Sequence, residues 1–360
     1  MSSSASKKID KKVVILGGGV AGMQTAIALN GMGIGSVLVE KEQELGGRVK
    51  NYDKIFPFLH SGKELVGKLE TQVREASLVE VRCGAVVTGV EGKAPNFKVR
   101  LSTGDDVITA GAIVVATGFE PFDASLQEEY GYGIYKNVIT GTELELLLDP
   151  EGPTGGELRR PSDNKLARRI AIVFCVGSRN EKVGNNYCSR ICCSYSTKQA
   201  IEIKERYPDA VVMCFYIDVR TYGRGFEEMY RRAQEMDITY IRGRVAECGV
   251  MPNGDVTIRA EDTFVGKPVQ GTFDLVSLSH GMTPCLDTVG IAKILGIGLS
   301  EDGFFESKDT DLYPNDATRD GVFLAGAATG AKPIPDCVAD GNAVAARVAA
   351  FLAGNQGDVA

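Results

Sequence analysis

The sequence predicts an α/β protein in which strands and helices alternate to form two parallel sheets. Two apolar runs, residues 11–16 and 170–175, are typical of strands that are buried on both faces. Each run is followed by a turn and then by a segment of helical character. The first turn is rich in glycine and the second is rich in cysteine. We therefore expect one scaffold that is used twice, with different chemistry at the two turns.

The first turn reads GGGVAG, a G-x-G-x-x-G motif between a strand and an Ala-rich helix. Gly17 provides the tight turn, Gly19 lets the backbone approach a pyrophosphate, and Gly22 lets helix and strand pack closely. Val20 and Ala21 begin the helix, whose N-terminus stabilises phosphate charge. The alternative is a glycine turn without a ligand. Because strand, helix and a following acid are all in place, the motif predicts a Rossmann-like dinucleotide site.

The acid is Glu40, which follows the next strand and lies about 20 residues beyond the motif, where a carboxylate binds ribose hydroxyls. Lys41 is its neighbour, and we include it among the predicted cofactor contacts. Gly46, Gly47 and Arg48 come soon after this acid. Together with the later segments they favour FAD over NAD as the ligand.

Two later segments complete the pattern. Residues 114–118 are a strand that ends in a turn of small residues, and residues 320–326 form a strand near the C-terminus. The ordered set resembles two-domain flavoprotein reductases of the thioredoxin reductase type. The resemblance implies a helix N-terminus at the flavin ring, where it can stabilise negative charge. The implied contacts are Ala116, Thr117, Gly118, Gly326, Ala327, Ile334 and Pro335, with Val86, on a strand ending near Gly89, touching the adenine through its backbone.

The order of the motifs predicts that the second domain is inserted in the first. We expect a discontinuous FAD domain at 1–125 and 285–360, a Pro- and Gly-rich connection at 126–165, and a degenerate dinucleotide-binding domain at 166–284. In the insert Asp218 stands where the ribose acid would be, but no G-x-G-x-x-G is present. This argues against NAD(P)H binding there.

Four cysteines occupy the second turn with the spacing C-x12-C-x3-C-C: Cys175, Cys188, Cys192 and Cys193. Four thiolates are the usual ligands of a [4Fe–4S] cluster. Cys188 and Cys192 would share a face of a helix, but Cys193 would not, so some non-helical backbone is needed. Structural zinc and a redox disulfide are the alternatives. Adjacent cysteines fit the usual zinc spacings poorly, and they pair with each other only under strain.

Two arginines near the cysteines, Arg179 and Arg190, would offset the negative charge of a cluster or would simply be solvated. Lys332 has two corresponding interpretations. It places positive charge near the flavin ring and tunes its potential, or it is an exposed loop lysine.

Several segments make the chain similar to the A subunit of heterodisulfide reductase, nearly throughout its length. They are residues 131–140, 152–156, 160–163, 174–179, 187–193 and 332–336. The resemblance implies FAD, a [4Fe–4S] cluster on the four cysteines, a homodimer, and work inside a larger complex with B-like and C-like subunits. A lipoate-bearing carrier protein is a further expected partner.

The chain departs from that family in two ways. It has no C-x2-C-x2-C-x3-C run, and residues 58–63 hold no cysteine where many members have C-x-x-C. It thus looks most like the short A subunit of the complex used in bacterial sulfur oxidation. The A subunit of the quinone-interacting complex of sulfate reducers is the second choice.

Composition narrows the functional classes further. The net charge is −7 and no long basic run is present, so nucleic acid is not an expected partner. The polar N-terminus does not predict a secretory signal, and we expect no membrane span and a cytoplasmic location. Nine cysteines then indicate metal or redox chemistry more than disulfides.

We expect an oxidoreductase subunit that relays electrons between FAD, cluster and partner subunits. A stand-alone NAD(P)H-dependent disulfide reductase is the main alternative. A flavin-bearing scaffold with structural zinc is the third.

Overall fold

The structure is a computed structural model, which describes residues 12–104 and 107–354. Residue 11, the predicted start of the first strand, and the N-terminal segment lie outside the described residues. The chain divides into two compact units. Unit 1 comprises residues 1–50, 63–120 and 283–360, and unit 2 comprises residues 51–62 and 121–282.

The described residues form the following seven α-helices: α1 (Val20–Gly31), α2 (Gly62–Glu75), α3 (Gly141–Leu148), α4 (Cys192–Arg206), α5 (Phe226–Glu235), α6 (Thr288–Leu295) and α7 (Ile334–Gly354). The strands are β1 (Val13–Leu16), β2 (Ser36–Val39), β3 (Lys54–Ile55), β4 (His60–Ser61), β5 (Val79–Arg82), β6 (Val87–Lys93), β7 (Asn96–Leu101), β8 (Val107–Ala110), β9 (Ala112–Val115), β10 (Glu120–Pro121), β11 (Val138–Thr140), β12 (Arg169–Val176), β13 (Val211–Tyr216), β14 (Thr239–Arg242), β15 (Val245–Val250), β16 (Val256–Asp262), β17 (Lys267–Phe273), β18 (Leu275–His280), β19 (Met282–Thr283), β20 (Ser307–Asp309), β21 (Tyr313–Ala317) and β22 (Val322–Leu324).

Unit 1 is built on a seven-stranded sheet with the order β20-β21-β22-β9-β1-β2-β5. The strand β1 lies inside it, parallel to β2 and β9, so that Ile15 is paired with Leu38 and Val114. All four residues of β1 are buried, because apolar layers cover both faces of the sheet. Helices α1 and α7 supply one layer. The small sheet β6-β7-β8, with Phe97 and Val99, supplies part of the other.

Unit 2 has a five-stranded parallel sheet with the order β11-β18-β12-β13-β14. The central strand β12 sends Ile170 and Ile172 into a core with α3, α4 and α5. It sends Ala171 and Val173 into a second core, which is closed by the antiparallel sheet β15-β16-β17. This alternation follows from the period of two residues along a strand. The predicted α/β class, with a dinucleotide-type sheet in each half, is confirmed.

The unit boundaries differ from the expected domains chiefly in two respects. Residues 51–62, which we expected in the FAD domain, lie in unit 2. Residues 126–165, which we expected to be a connection, lie inside unit 2 and contain β11 and α3. Thr140 begins α3 with a reciprocal capping box to Glu143, in which each side chain binds the other residue's backbone N–H. Proline and glycine in this stretch therefore mark loops around a helix, and do not mark a linker.

A further difference concerns the C-terminal helix. By length and composition alone, α7 is the one described helix that could cross a membrane, whereas the sequence predicted none. Val344, Ala345 and Val348 of this helix are buried in the core of unit 1. A core helix passes the same test of length and composition, so this finding is weak evidence for a span.

Candidate functional site

The glycine turn of unit 1 consists of residues 17–19 and joins β1 directly to α1. Gly17 has a φ of 105°, and a Cβ there would overlap the carbonyl oxygen of Ala116. A Cβ on Gly22 would overlap the carbonyl oxygen of Gly17. Both glycines are therefore required for the packing of strand, turn and helix, as the motif predicts.

Gly19 differs from its two neighbours in the motif. A Cβ at this position would meet no atom within 4 Å among the described residues, and Gly19 is the N-cap of α1 without a side-chain cap. The first backbone N–H groups of a helix need acceptors, and an open space at this point suits a phosphate. The turn fits a dinucleotide by this test.

Glu40 lies in the same crevice as the turn. Its carboxylate accepts hydrogen bonds from the backbone N–H of Gly18, at 2.6 Å, and of Glu42, at 2.9 Å. A carboxylate has room for about four hydrogen bonds, so two remain for a ribose. The side chain is buried, which keeps the acceptor in place.

Other predicted cofactor residues lie close to this turn. Gly46 donates its N–H to the carbonyl oxygen of Gly18 at 2.9 Å, and a Cβ on Gly47 would lie 3.2 Å from the Cα of Gly19. A Cβ on Gly326, which begins the turn before Ala327, would lie 2.6 Å from the Cβ of Ala21. Segments that are far apart in sequence therefore converge on one crevice of unit 1.

The turn after β9 closes another side of this crevice. Ala116 donates its N–H to the carbonyl oxygen of Leu16 at 2.7 Å, which continues the sheet. The hydroxyl of Thr117 is buried and has no partner among the residues that the structure describes. A buried hydroxyl without a partner is costly, so a ligand atom there would be stabilised. Gly118 follows with a φ of 77°.

Two of the predicted basic contacts are already paired with acids. Arg48 forms an ion pair with Glu120 and donates to the carbonyl oxygen of Phe119 at 3.0 Å. Lys41 lies 3.7 Å from Asp287, and both side chains are about half exposed. An exposed pair of this kind holds its charges loosely, so Lys41 remains available to a ligand.

The prediction for Val86 is not supported by the position of its strand. The strand β6 begins at Val87 and continues through Gly89 to Lys93, so it does not end near Gly89. The backbone N–H and carbonyl oxygen of Val86 are both bonded to Ser102. The backbone N–H of Val86 is therefore occupied, and its carbonyl oxygen keeps one lone pair for the predicted adenine contact.

The last helix begins at Ile334, with Pro335 in its first turn, as predicted. Proline suits that position because its missing N–H is not needed there. Lys332, two residues before, donates to Asp340 at 2.6 Å, and Asp340 also accepts from the N–H of Gly326 at 3.1 Å. Asp340 therefore neutralises most of the charge that Lys332 was expected to bring to a flavin.

The cysteine site of unit 2 begins where the strand β12 is distorted. Its register with β18 shifts between Val173 and Val176. Cys175 lies in this bulge with a φ of 62°, and Arg179 and Arg190 have φ values of 54°. Left-handed conformations are rare for such residues, and strain of this kind concentrates at functional sites.

Three of the four thiols interact with one another. The Cys192 thiol hydrogen-bonds with Cys175 and with Cys193, and it keeps its proton, since these bonds and its complete burial raise its pKa well above the ordinary value. The bond to Cys192 and the charge of Arg179 lower the pKa of Cys175 to about 7. The bond to Cys192 also lowers the pKa of Cys193. Cys175 and Cys193 therefore ionise more readily than Cys192, which lies between them.

The local fold explains why these three thiols are close together. Cys192 and Cys193 form the first turn of α4, and Cys175 lies in the preceding central strand. A helix N-terminus stabilises thiolate charge. Cys193 also lies 3.6 Å from the carbonyl oxygen of Asp218, at the end of the next strand.

Cys188 lies outside the helix, in irregular backbone, and is only partly buried. The N–H of Arg190 donates to its sulfur at 3.4 Å. Arg179 interacts electrostatically with both Cys188 and Cys175. The four predicted ligands are thus in one region of unit 2, with a guanidinium group beside them.

The donor set fits an iron–sulfur cluster in its chemistry, since thiolates are the ligands that such clusters use. Within residues 12–104 and 107–354, however, no three His, Cys, Asp or Glu side chains are arranged to hold a single metal ion. A cubane takes one thiolate on each of four irons, so its ligands stand around a larger volume than those of one ion. Four thiolates are also a ligand set that structural zinc uses, so metal analysis separates the two predictions.

The rest of this turn is unsuited to a pyrophosphate. Gly177 has a φ of 73°, and a Cβ there would overlap the ring of Phe122. Its N–H is occupied by Gln127 at 2.6 Å. Asp218, at the position of the ribose acid, is paired with Arg179 at 2.8 Å and with Arg242 at 3.3 Å. The ring of Phe122 therefore fills the space that a pyrophosphate would need. The two arginines bind the carboxylate that would otherwise bind a ribose.

Sequence reasoning missed several residues that hold these sites together. Glu120, Asp287 and Asp340 neutralise predicted cofactor contacts. No local signal indicated the partners of Arg48 and Lys41, because those contacts join distant parts of the chain.

Comparisons with known proteins first define a class. The profile of the pyridine nucleotide-disulphide oxidoreductase family matches residues 3–140. The crystal structure of thioredoxin reductase from Lactococcus lactis is 19% identical and aligns with a TM-score of 0.63, over 95% of this chain and 99% of that one. The chain has the two-domain fold of such reductases, and that identity carries no conclusion beyond the fold.

The sequence relatives are more specific. The A subunit of the H(2):CoB-CoM heterodisulfide,ferredoxin reductase of Methanothermobacter thermautotrophicus is 35% identical over 420 residues, with 95% of this chain and 64% of that protein covered. The iron-sulfur A subunit of the CoB–CoM heterodisulfide reductase of Methanocaldococcus jannaschii is 36% identical, with 97% and 65% covered. The chain is a homologue of the A subunits of heterodisulfide reductase and spans just under two thirds of their length.

Proposed function

We propose that this chain is the FAD- and [4Fe–4S]-bearing electron-transfer subunit of a heterodisulfide-reductase-like complex. It passes electrons between flavin, cluster and partner subunits that correspond to the B and C subunits of the related enzymes. Substrate chemistry takes place on a partner. We place the complex in cytoplasmic sulfur oxidation, with a lipoate-bearing carrier as a further partner.

One observation carries the proposal. Unit 2 has the sheet of a dinucleotide-binding domain, yet thiols stand at the end of its central strand where a phosphate loop would lie. Cys175, Cys192 and Cys193 interact directly, and Cys188 shares the guanidinium of Arg179 with Cys175. The relative from Methanocaldococcus jannaschii is named as an iron-sulfur protein, which supports the same assignment.

Flavin supplies exchange between two-electron and one-electron carriers, and an iron–sulfur cluster supplies one-electron steps. The chain contributes binding and electrostatics. Gly19 and the N-terminus of α1 would hold the pyrophosphate, and Glu40 would hold the ribose. The four cysteines would hold the cluster.

Charges near the cysteines would set the potential of that cluster. Arg179 is about one-fifth exposed and acts on two of the four thiols. A positive charge near the sulfurs favours the reduced state, although Asp218 compensates part of that charge. Arg190 contributes its N–H to Cys188, and its side chain bonds to Tyr222.

A stand-alone NAD(P)H-dependent disulfide reductase is the second candidate, and the fold is the observation that favours it. The pairing of Asp218 with two arginines and the contact between Gly177 and Phe122 oppose it. Adding NADH or NADPH to the purified flavoprotein separates the two functions, because only the reductase would lose its flavin absorbance directly. A quinone-interacting subunit of sulfate reduction shares the proposed cofactors and differs in its partners.

The deciding experiment is a count of iron and acid-labile sulfide per FAD on anaerobically purified protein. We expect about four irons and four sulfides per flavin, and a loss of most of the iron in Cys188→Ala. Flavin without iron would overturn the proposal. Zinc analysis on the same sample would then test the structural-metal alternative.

Cys248→Ala is the matched control for this variant. Cys248 is a buried thiol of unit 2 on β15, and burial raises its pKa to about 12, so it is a protonated core residue. The control should keep its iron. Sedimentation of the same samples would test the expected homodimer.

A further inference from the structure

A buried group of charges lies along the helix that begins with Cys192 and Cys193. Lys198 of α4 donates to both oxygens of Glu145 on α3, at 2.6 and 2.5 Å. It also lies 3.0 Å from Glu202, one turn further along its own helix. The side chains of these three residues are at most 7% exposed. We call them the buried triad.

The triad is unbalanced when all three groups are ionised, because it has one positive charge and two negative charges. Isolated charge is expensive inside a protein, so one carboxylate is under pressure to bind a proton. Glu145 is well supplied with donors, since Gln199 also donates to it at 2.9 Å. The carboxylate of Glu202 has a single contact with the ammonium group of Lys198, at 3.0 Å, whereas Glu145 accepts from that group with both of its oxygens.

We propose that Glu202 is a redox-linked proton site, whose proton affinity would rise on reduction of a cluster held by the four cysteines. This inference rests on the proposed function. An added electron would place one negative charge at the start of α4, and partial uptake of a proton from solvent by Glu202 would offset part of that charge on the same helix.

The distance along α4 between the cysteines and Glu202 determines how strongly reduction changes the proton affinity of Glu202. Glu202 lies nine residues after Cys193, which is about 14 Å at 1.5 Å per residue. At an effective dielectric constant of about 20, an added electron at that distance raises the proton affinity of a carboxylate about eightfold. By linkage, the reduction potential then falls by about 50 mV in total as pH rises through the titration of Glu202.

The groups around Glu202 raise its pKa and so favour proton uptake by this residue. Burial and repulsion from Glu145 raise the pKa of Glu202, against the attraction of Lys198 and the weaker attraction of Lys54 on β3. Burial would by itself lower the pKa of Lys198, but its two carboxylate neighbours raise it, so the lysine stays charged. Glu202 is therefore the member of the triad that changes charge.

The test is a potentiometric titration of the cluster in the full protein, followed by electron paramagnetic resonance from pH 5 to pH 9. We expect the potential to fall by about 50 mV over this range in the wild type. In Glu202→Gln we expect this fall to be lost. Glu205→Gln is the matched control, because Glu205 lies on the same helix in exposed pairs with Lys54 and Arg232, and it should keep the fall.

Iron in the wild type with a flat potential, or a fall that persists in Glu202→Gln, would overturn this inference and leave the proposed function standing. Protein without iron would overturn both. If Glu202→Gln does not fold, Glu145→Gln gives a second test. Removing the repulsion from Glu145 should move the fall to lower pH, and an unchanged profile would contradict the proposal.

Discussion

The glycine turn of unit 1 and the cysteine turn of unit 2 occupy equivalent positions in their units. They provide opposite environments for a nucleotide. Each connects an inner strand, which is paired in parallel on both sides, to a helix. At Gly19 the space in front of the helix is open, whereas at Gly177 the equivalent space is filled by Phe122. The acid after the next strand is held by backbone N–H groups in unit 1 and by two arginines in unit 2.

The difference shows which part of this scaffold determines the ligand. Sheet order and helix placement bring both turns to the carboxyl ends of the strands, and this edge is where such folds bind ligands. The residues of the turn then decide between phosphate and thiolate chemistry.

The largest expected effect comes from closing the glycine turn. In Gly22→Ala the new Cβ would overlap the carbonyl oxygen of Gly17, which is backbone and cannot move aside. We expect the protein to purify without FAD and to lose about 3 kcal/mol of unfolding free energy. Absorbance and urea unfolding measure both effects. Gly67→Ala on α2, where a Cβ meets nothing within 4 Å, should keep FAD, and full FAD in Gly22→Ala would contradict the close packing.

Gly177→Ala tests the other turn. The residue has a φ of 73°, and its Cβ would overlap the Phe122 ring. We expect a loss of about 2 kcal/mol in unfolding free energy, measured in urea. Adding Phe122→Leu should make the double variant less unstable than the sum of the two single changes. Additive losses would mean that the ring does not fill this space.

Gly19→Ala sharpens the comparison by separating binding from packing. A Cβ there meets nothing within 4 Å, and the φ of −75° suits any residue. We expect the stability of cofactor-free protein to stay within about 0.5 kcal/mol of the wild type. FAD affinity should fall at least about tenfold, since a methyl group takes phosphate space. Fluorescence titration measures the affinity, and unchanged affinity would place the pyrophosphate elsewhere.

Arg179→Ala tests the charge beside the thiols. Loss of a positive charge near Cys175 and Cys188 should lower the cluster potential by about 40 mV, equivalent to about 1 kcal/mol for one electron in this partly exposed setting. Arg259→Ala is the control, because Arg259 of unit 2 is exposed and pairs with Glu247. Equal shifts in the two variants would assign the effect to net charge alone.

The smallest effect is expected at Lys332. Because Asp340 neutralises it at 2.6 Å, Lys332→Ala should change the flavin potentials by less than about 20 mV. Asp340→Asn should raise them more, because it releases the charge of the lysine. A spectroelectrochemical titration of both variants shows which one shifts the flavin potentials more. If neither variant moves the potentials, the idea that Lys332 tunes the flavin fails.

Much of this site follows from patterns that are local in sequence. The glycine motif, the acid at residue 40, the helix start at residue 334 and the cysteine spacing all depend on neighbouring residues, and local rules govern turns and helix ends. The prediction that the strand after Val86 ends near Gly89 was wrong, because strand ends are not a local property. A strand pattern shows that a strand exists, but its ends and its backbone partners depend on another strand, here through Ser102.

The sequence by itself determined the two parallel sheets, the phosphate turn and the presence of four thiols, because these depend on periodicity and on residue type. Only the tertiary structure decided the left-handed Cys175, the partners of Arg48 and Lys332, and the buried triad around Lys198. The contacts of Arg48 with Glu120 and of Lys198 with Glu145 join residues that are far apart in the chain. Their charges and strain are therefore set by how the units pack internally, which no local pattern encodes.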